Sequence, residues 1–366
     1  MKIIAFTKYP YEGPSSRYRF YNYRACFAEA KIDMRIEPFF SKGYFTAASR
    51  SMKLLNVLLS YLRRVFQLFG VLLSPKRCDI VLIEYELLPF FPALFERMLK
   101  KRHIRYLVDY DDAIFHKYDL HRNRLVRWLF KKKIAAVMSS AETVIVCNGY
   151  LEQYARRYNP NTFRLPTVVL LEKYKEAMAS QEKNGGKSRP FVVGWIGSKS
   201  TSSYIVDILP ALERFAAKYE AKFSLVGFDE AVLPKGMKER CKIEVIPWTE
   251  EGEIKEILRF DVGIMPLRSD PWSQGKCGFK LVQYMSCGKP VVASPVGINV
   301  SLVEEGRNGF LAGTAEAWFN ALEKLCLDGR LREQMAANSL KKVEAEYNHA
   351  KNCRKYIDLV NDVVKG

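Results

Sequence analysis

Short apolar runs rich in β-branched residues alternate along the chain with longer stretches of helical periodicity. In the first half the runs are KIIAFT (2–7), IVLIEY (80–85), YLVDYD (106–111) and TVIVCN (143–148). After a polar, Gly-containing break at 175–190 they resume as FVVGWIG (191–197), KFSLVGF (222–228), IEVIPW (243–248), DVGIMPL (261–267) and PVVAS (290–294). Strands separated by helices predict an α/β protein with parallel, doubly wound sheets that hold ligands at the carboxyl ends of their strands. A chain of 366 residues exceeds one ordinary core. The break therefore divides it into two Rossmann-like domains, 1–183 and 184–366, with a cleft between them. The tail from Leu331 to Val364 is helical by pattern and broken near Asn348; its last helix either caps the second domain or crosses back to the first.

One predicted helix has an unusual pattern. From Lys53 to Ser74 the polar or small residues fall at 53, 56, 60, 63, 64, 67, 70 and 74, a single narrow stripe, and apolar residues fill the rest. Such a face is wider than a surface helix needs. Arg63 and Arg64 leave apolar runs shorter than the roughly 20 residues of a spanning helix. Two readings fit: a deeply buried helix, or one lying in a membrane interface with Lys53, Arg63, Arg64, Lys76 and Arg77 meeting anionic headgroups.

Charge sharpens the second reading. Residues 1–187 hold 33 Lys+Arg against 17 Asp+Glu, a net of +16, and the remainder holds 25 against 23, a net of +2. A one-sided field of this kind attracts an anionic surface, either acidic lipid or nucleic acid. The tract RNRLVRWLFKKK (122–133) mixes basic and aromatic residues as nucleic-acid binders do. The phosphate-type loops, however, lie in the neutral half, which makes nucleic acid the less expected partner. The eight cysteines form no C-x-x-C pair and MKIIAFTKYP lacks a signal-peptide core. These features predict a cytoplasmic protein with free thiols, peripheral on the inner membrane face.

Candidate chemistry concentrates at Asp261–Leu311. There a strand (Val262–Pro266) leads through a loop with Lys276 and Gly278 into a helix, Phe279 to Cys287, followed by a strand at Pro290–Ala293. A cation and flexible backbone before a helix start favour a bound anion. Gly194 to Thr201, GWIGSKST, is a second such cradle, with Gly197, Ser198 and Thr201 at the start of an expected helix through Leu212. In the first half, Gly13 with Ser15 or Ser16 precedes Arg17 and Arg19, arginines expected in a first helical turn, where an anion would have to offset their conflict with the dipole. Asp109-Tyr110-Asp111-Asp112 ends a strand and serves either a reacting hydroxyl or local capping, and Glu86 ends another strand. Trp248 either borders a base or belongs to the core. Gly185-Gly186-Lys187-Ser188 lacks the upstream glycine and strand of a P-loop, no G-x-G-x-x-G follows the first strand, and the four histidines lack zinc spacing.

Together VDYDDAIF, VCNGYLEQYA, FRLPTVV, GWIGSKST, FDVGIMPL, GKCGFKLVQYMSCGKPVVASPVG and NGFLA resemble, in order, the motifs of the nucleotide-sugar glycosyltransferases of family 4, which have the GT-B fold. The resemblance implies a C-terminal domain that binds the nucleotide-sugar donor and an N-terminal domain that binds a glycan or lipid-linked acceptor, in cell-surface polysaccharide biosynthesis. It also implies transfer with retained configuration and no metal or other cofactor. Family members place two glutamates eight positions apart; here Gly275 and Gln283 stand there, as in a subgroup with G-K-x-G-x-K-x-x-Q. Gln283 would hydrogen-bond the ribose. Lys276 and Lys280, with the helix starts at Thr201 and Phe279, would neutralise the departing diphosphate, joined by Arg17 or Arg19 on domain closure. Glu86, Asp111 or Asp112 would contact the acceptor hydroxyl. A sugar-nucleotide epimerase of the same architecture is the competing enzyme reading.

Overall fold

The computed structural model describes residues 1–46, 48–180 and 189–365. The expected boundary at 183/184 and the Gly185–Ser188 run lie outside the described residues. The chain forms two compact units, one of Met1–Thr167, Gly275–Cys277 and Ala350–Gly366, the other of Val168–Gln274 and Gly278–His349.

The first unit is built on six parallel strands: β1 (Lys2–Thr7), β2 (Asp33–Pro38), β3 (Ile80–Glu84), β4 (Tyr106–Tyr110), β5 (Thr143–Val146) and β6 (Thr162–Arg164), in the order β2-β1-β3-β4-β5-β6. Residues of β3, β4 and β5 are buried throughout, so these strands read as mostly apolar runs, with Glu84 and Asp109 as buried acids within them. Register Ile3↔Ile80, Val81↔Tyr106 and Leu107↔Thr143 brings Lys8, Glu84, Asp111 and Asn148 to one end of the sheet. The helices that matter below are α1 (Pro14–Arg19), α2 (Arg50–Leu73), α3 (Arg124–Phe130) and α4 (Gly149–Ala155).

Two expectations change here. The helix carrying Arg17 and Arg19 has six residues, so both arginines fall in its last turn, where they complement the dipole rather than oppose it. Arg63 and Arg64 of α2 are hydrogen-bonded to their own unit. Arg64 is buried, donating to the carbonyls of Thr7 and Glu37, and Arg63 donates to those of Pro38 and Phe39.

The second unit repeats the plan with β7 (Phe191–Ile196), β8 (Ala221–Val226), β9 (Ile243–Ile246), β10 (Val262–Met265), β11 (Val291–Ala293) and β12 (Gly309–Leu311), in the order β12-β11-β10-β7-β8-β9, all parallel. Helix α5 (Leu209–Lys218) packs on one face with Trp195, Phe215 and Phe223; α6 (Phe279–Ser286) packs on the other with Phe260 and Tyr284. The single helix expected from Thr201 to Leu212 is divided into a three-residue turn at Lys199–Thr201, a four-residue helix at Ser203–Val206 and α5. Pro210 is the cause, because proline lacks the N–H of a helix interior and is accommodated in the first turn of α5.

The tail forms α7 (Gly329–Lys342), a π-helical turn at Val343–Tyr347, and α8 (His349–Lys365). Helix α8 belongs almost entirely to the first unit, which corrects the reading of all cysteines as free thiols: Cys353 of α8 is disulfide-bonded to Cys26. The partners are 327 residues apart, so no local spacing could have shown them.

Candidate functional site

In the second unit, β7 ends at Ile196 and Gly197 donates its N–H to the carbonyl of Val226. Ser198 and Thr201 then close a capping box on each other. Lys280, in the first turn of α6, reaches this turn from below, its Nζ donating to Thr201 Oγ1 at 3.3 Å and lying 4.7 Å from the centroid of the buried Trp195 ring. An ammonium ion is thereby fixed beside the Thr201 hydroxyl at the carboxyl end of a central strand. Gly278 caps α6 in the left-handed region, φ +69°, and an added Cβ would lie 2.3 Å from Leu302 Cδ1 and 2.7 Å from Ile298 Cγ2, so any other residue would be strained and would have to displace those side chains. Phe279 packs partly buried on the core and Gln283 is buried on α6. Trp248 donates from Nε1 to Glu253 at 3.1 Å while its ring rests on the same core.

The other cluster lies within the first unit. Lys276 is held there with Gly275 and Cys277: its carbonyl accepts from Asn148 Nδ2 at 2.9 Å, and its Nζ sits 3.2 and 3.4 Å from the two oxygens of Asp112. Asn148 also caps α4 through its side-chain oxygen. Asp111, next to Asp112, is buried and accepts from the Tyr85 hydroxyl. Burial, reinforced by repulsion from Asp112, raises the Asp111 carboxyl from 3.8 to about 7. It is thus a carboxyl poised to exchange a proton near neutrality. Tyr85 has φ +63°, a strained conformation for an aromatic residue, and its N–H donates to the Asp109 carbonyl.

The remaining first-half candidates separate. Arg19 is fully buried and bidentate to Asp109, at 2.8 and 2.6 Å, with a further bond to the carbonyl of Leu165. Its donors are committed to joining strand ends. Arg17 is buried against Tyr11 and Tyr18, and Gly13 precedes α1 where a Cβ would lie 2.2 Å from Tyr9 Cβ. Glu86 accepts from Tyr118 and pairs with Lys133 in a nearly dry pocket. Asp109 and Asp111 of the D-x-D triplet therefore serve different partners.

Sequence reasoning missed Glu84, Tyr85 and Asn148. Glu84 is buried and takes hydrogen bonds from Ser15, Ser16 and the Lys8 N–H, which fixes α1 to the sheet. Burial still raises its carboxyl above the ordinary range, against these bonds. The available signal for Asn148 was its position before Gly149 at a strand end, a cap site.

Residues 190–328 match the family model described as glycosyl transferases group 1. TuaH of Bacillus subtilis (strain 168), whose name places it among teichuronic acid biosynthesis glycosyltransferases, is 28% identical over 107 residues, 28% of this chain and 26% of that protein. The matched segment thus spans about a quarter of that relative's length. Among solved structures, sucrose-phosphate synthase (tll1590) from Thermosynechococcus elongatus aligns over 99% of both chains with a TM-score of 0.72 and 17% identity. Anabaena Alr3699/HepE in complex with UDP-glucose aligns over 99% of this chain and 100% of its own, with a TM-score of 0.70 and 16% identity. The lipopolysaccharide outer core galactosyltransferase WaaB aligns over 99% of both chains, with a TM-score of 0.64 and 14% identity. The two six-stranded parallel sheets are those of the GT-B fold, and the match to the glycosyl transferases group 1 model falls on residues 190–328.

Proposed function

We propose that the protein is a retaining glycosyltransferase that moves a sugar from a nucleotide-diphosphate donor to a glycan or lipid-linked acceptor in cell-surface polysaccharide biosynthesis. The observation that carries this reading is Lys280, held between Trp195 and Thr201 at the end of β7, inside the group 1 domain. Cleavage of the sugar–phosphate bond leaves charge on the diphosphate, and a cation already fixed at that point stabilises the transition state without reorganising. Lys280, Lys276 and the N–H groups at the start of α6 supply positive potential in place of a metal or other cofactor. Gln283 serves the ribose and Trp248 the base. HepE, solved with UDP-glucose, and TuaH, named for teichuronic acid biosynthesis, support the donor class and the pathway.

Asp111 and Asp112 are the acids we assign to the acceptor hydroxyl. Glu86 is less available, because Tyr118 and Lys133 already occupy its oxygens. A thermal-shift screen with uridine, guanosine and adenosine diphosphate sugars, read beside donor hydrolysis, tests the reading: one base series should stabilise the protein and be hydrolysed slowly. Absence of both effects with every donor would overturn it.

A further inference from the structure

Helix α2 presents its polar side to its own unit and its apolar side to solvent. Besides the bonds of Arg63 and Arg64, Gln67 Nε2 donates to Glu37 at 2.6 Å and Tyr61 donates to the carbonyl of Pro89. Leu54, Leu58, Leu62, Phe66 and Leu73 are at least half exposed, Phe66 at 76%. Four of these recur every four residues and share one face. Ring contacts Phe69–Phe95, Phe91–Phe95 and Phe90–Phe130 carry the apolar surface onward to α3, where Leu125, Trp128 and Leu129 are also exposed, Trp128 at 72%. A continuous apolar surface of this extent marks a binding face.

The charges around it indicate what covers it. The sequence has no Asp or Glu between Glu37 and Asp79, nor between Asp119 and Glu142. Arg50, Lys53 and Arg77 lie exposed toward the ends of α2, and Arg122, Arg124 and Lys131 lie exposed beside α3. A second copy would oppose cation to cation across this face, which is unfavourable. An anionic bilayer satisfies both the apolar surface and its basic margin.

We propose that α2 and α3 dock the first unit on an anionic lipid bilayer, with α2 lying in the interface plane. At 24 residues α2 is about 36 Å long, enough to span. Its polar side is nevertheless hydrogen-bonded to the ends of β1 and β2, so a spanning orientation would carry those strand ends into hydrocarbon. The inference does not rest on the proposed activity, and its test needs neither donor nor acceptor.

The test is flotation of the full chain with vesicles of phosphatidylcholine alone or of equimolar phosphatidylcholine and phosphatidylglycerol. The protein should float with the anionic vesicles, and Leu58→Asp with Phe66→Asp should lower partitioning by more than about tenfold. Both side chains are already in solvent, so the melting temperature should hold. Should the double variant misfold, vesicles of brominated phosphatidylglycerol supply an independent reading. They should quench wild-type tryptophan emission and quench Trp128→Phe distinctly less. Failure of the wild type to float, equal flotation of a folded double variant, equal quenching of Trp128→Phe, or a buffer dimer that the double variant dissociates would each overturn the proposal.

Discussion

Gly275 stands where the resemblance to family 4 leads one to expect a glutamate, and its surroundings account for the departure. A Cβ there would lie 2.3 Å from Ala113 Cβ and 2.8 Å from the Ala113 backbone nitrogen. Gly275→Glu should therefore displace the segment and cost about 1–3 kcal/mol, read in a urea titration, and should not raise transfer; a more active variant would contradict this account. The next residue separates stability from chemistry. Lys276 and Asp112 are both partly exposed, at 20% and 29%, so the pair contributes at most about 1 kcal/mol to folding. Removing a cation that stabilises the leaving diphosphate costs about 3 kcal/mol, or on the order of a hundredfold in turnover. Lys276→Ala should thus melt close to wild type and turn over far more slowly, and wild-type rates would remove Lys276 from the mechanism. Asp111 adds a pH signature. Between 3.8 and about 7 the folded protein keeps a proton on Asp111 that the unfolded chain has lost, so this residue's contribution to stability falls as pH rises through that window. Asp111→Asn should therefore gain thermal stability relative to wild type on going from the acidic to the neutral end of the window. A constant difference in melting temperature across it would refute the raised carboxyl.

At the scale of elements, α8 is tied to the first unit by three separate devices. Cys353 is bonded to Cys26, Tyr356 packs edge-on against Tyr23 and Phe27 at 5.1 and 5.2 Å, and Arg105 donates to the carbonyls of Val363 and Val364. A crosslink closing so long a loop contributes about 2–4 kcal/mol, chiefly by restricting the unfolded chain. Cys353→Ser should melt several degrees lower than wild type without reductant and at nearly the same temperature with it; equal melting in both conditions would show the bond to be absent in solution. How much of these elements the sequence revealed depended on where each lies. The central strands β3, β4, β5 and β10 are buried on both faces and stood out as apolar runs. Strands β2, β6 and β12 sit at sheet edges, and DMRIEP, TFR and GFL carry too few apolar residues over too short a span to announce themselves. Within the candidate site, Gly278 and the Gly197–Thr201 turn were legible because glycine and hydroxyl residues at strand ends have local meaning. The commitment of Arg19 to Asp109 was not, since it joins residues 90 positions apart.

Over the whole molecule, a net charge of +16 within residues 1–187 will draw in any polyanion at low ionic strength, so weak retention of nucleic acid does not identify a function. Salt separates the possibilities, because screening weakens contacts between exposed charges while leaving apolar burial intact. Duplex DNA offers phosphates to Arg50, Lys53, Arg122 and Arg124 but nothing for Leu62, Phe66 or Trp128 to enter, whereas a bilayer offers both. Raising salt from about 50 to 200 mM should release the protein from duplex DNA in a filter-binding titration, by a factor on the order of a thousand for six or more phosphate contacts. Over the same range, partitioning onto anionic vesicles should fall far less, because the apolar contribution of α2 and α3 persists. Parallel salt slopes for the two partners would mean that the apolar face contributes nothing to docking. DNA binding that survives the higher salt would instead assign the basic half of the chain to nucleic acid.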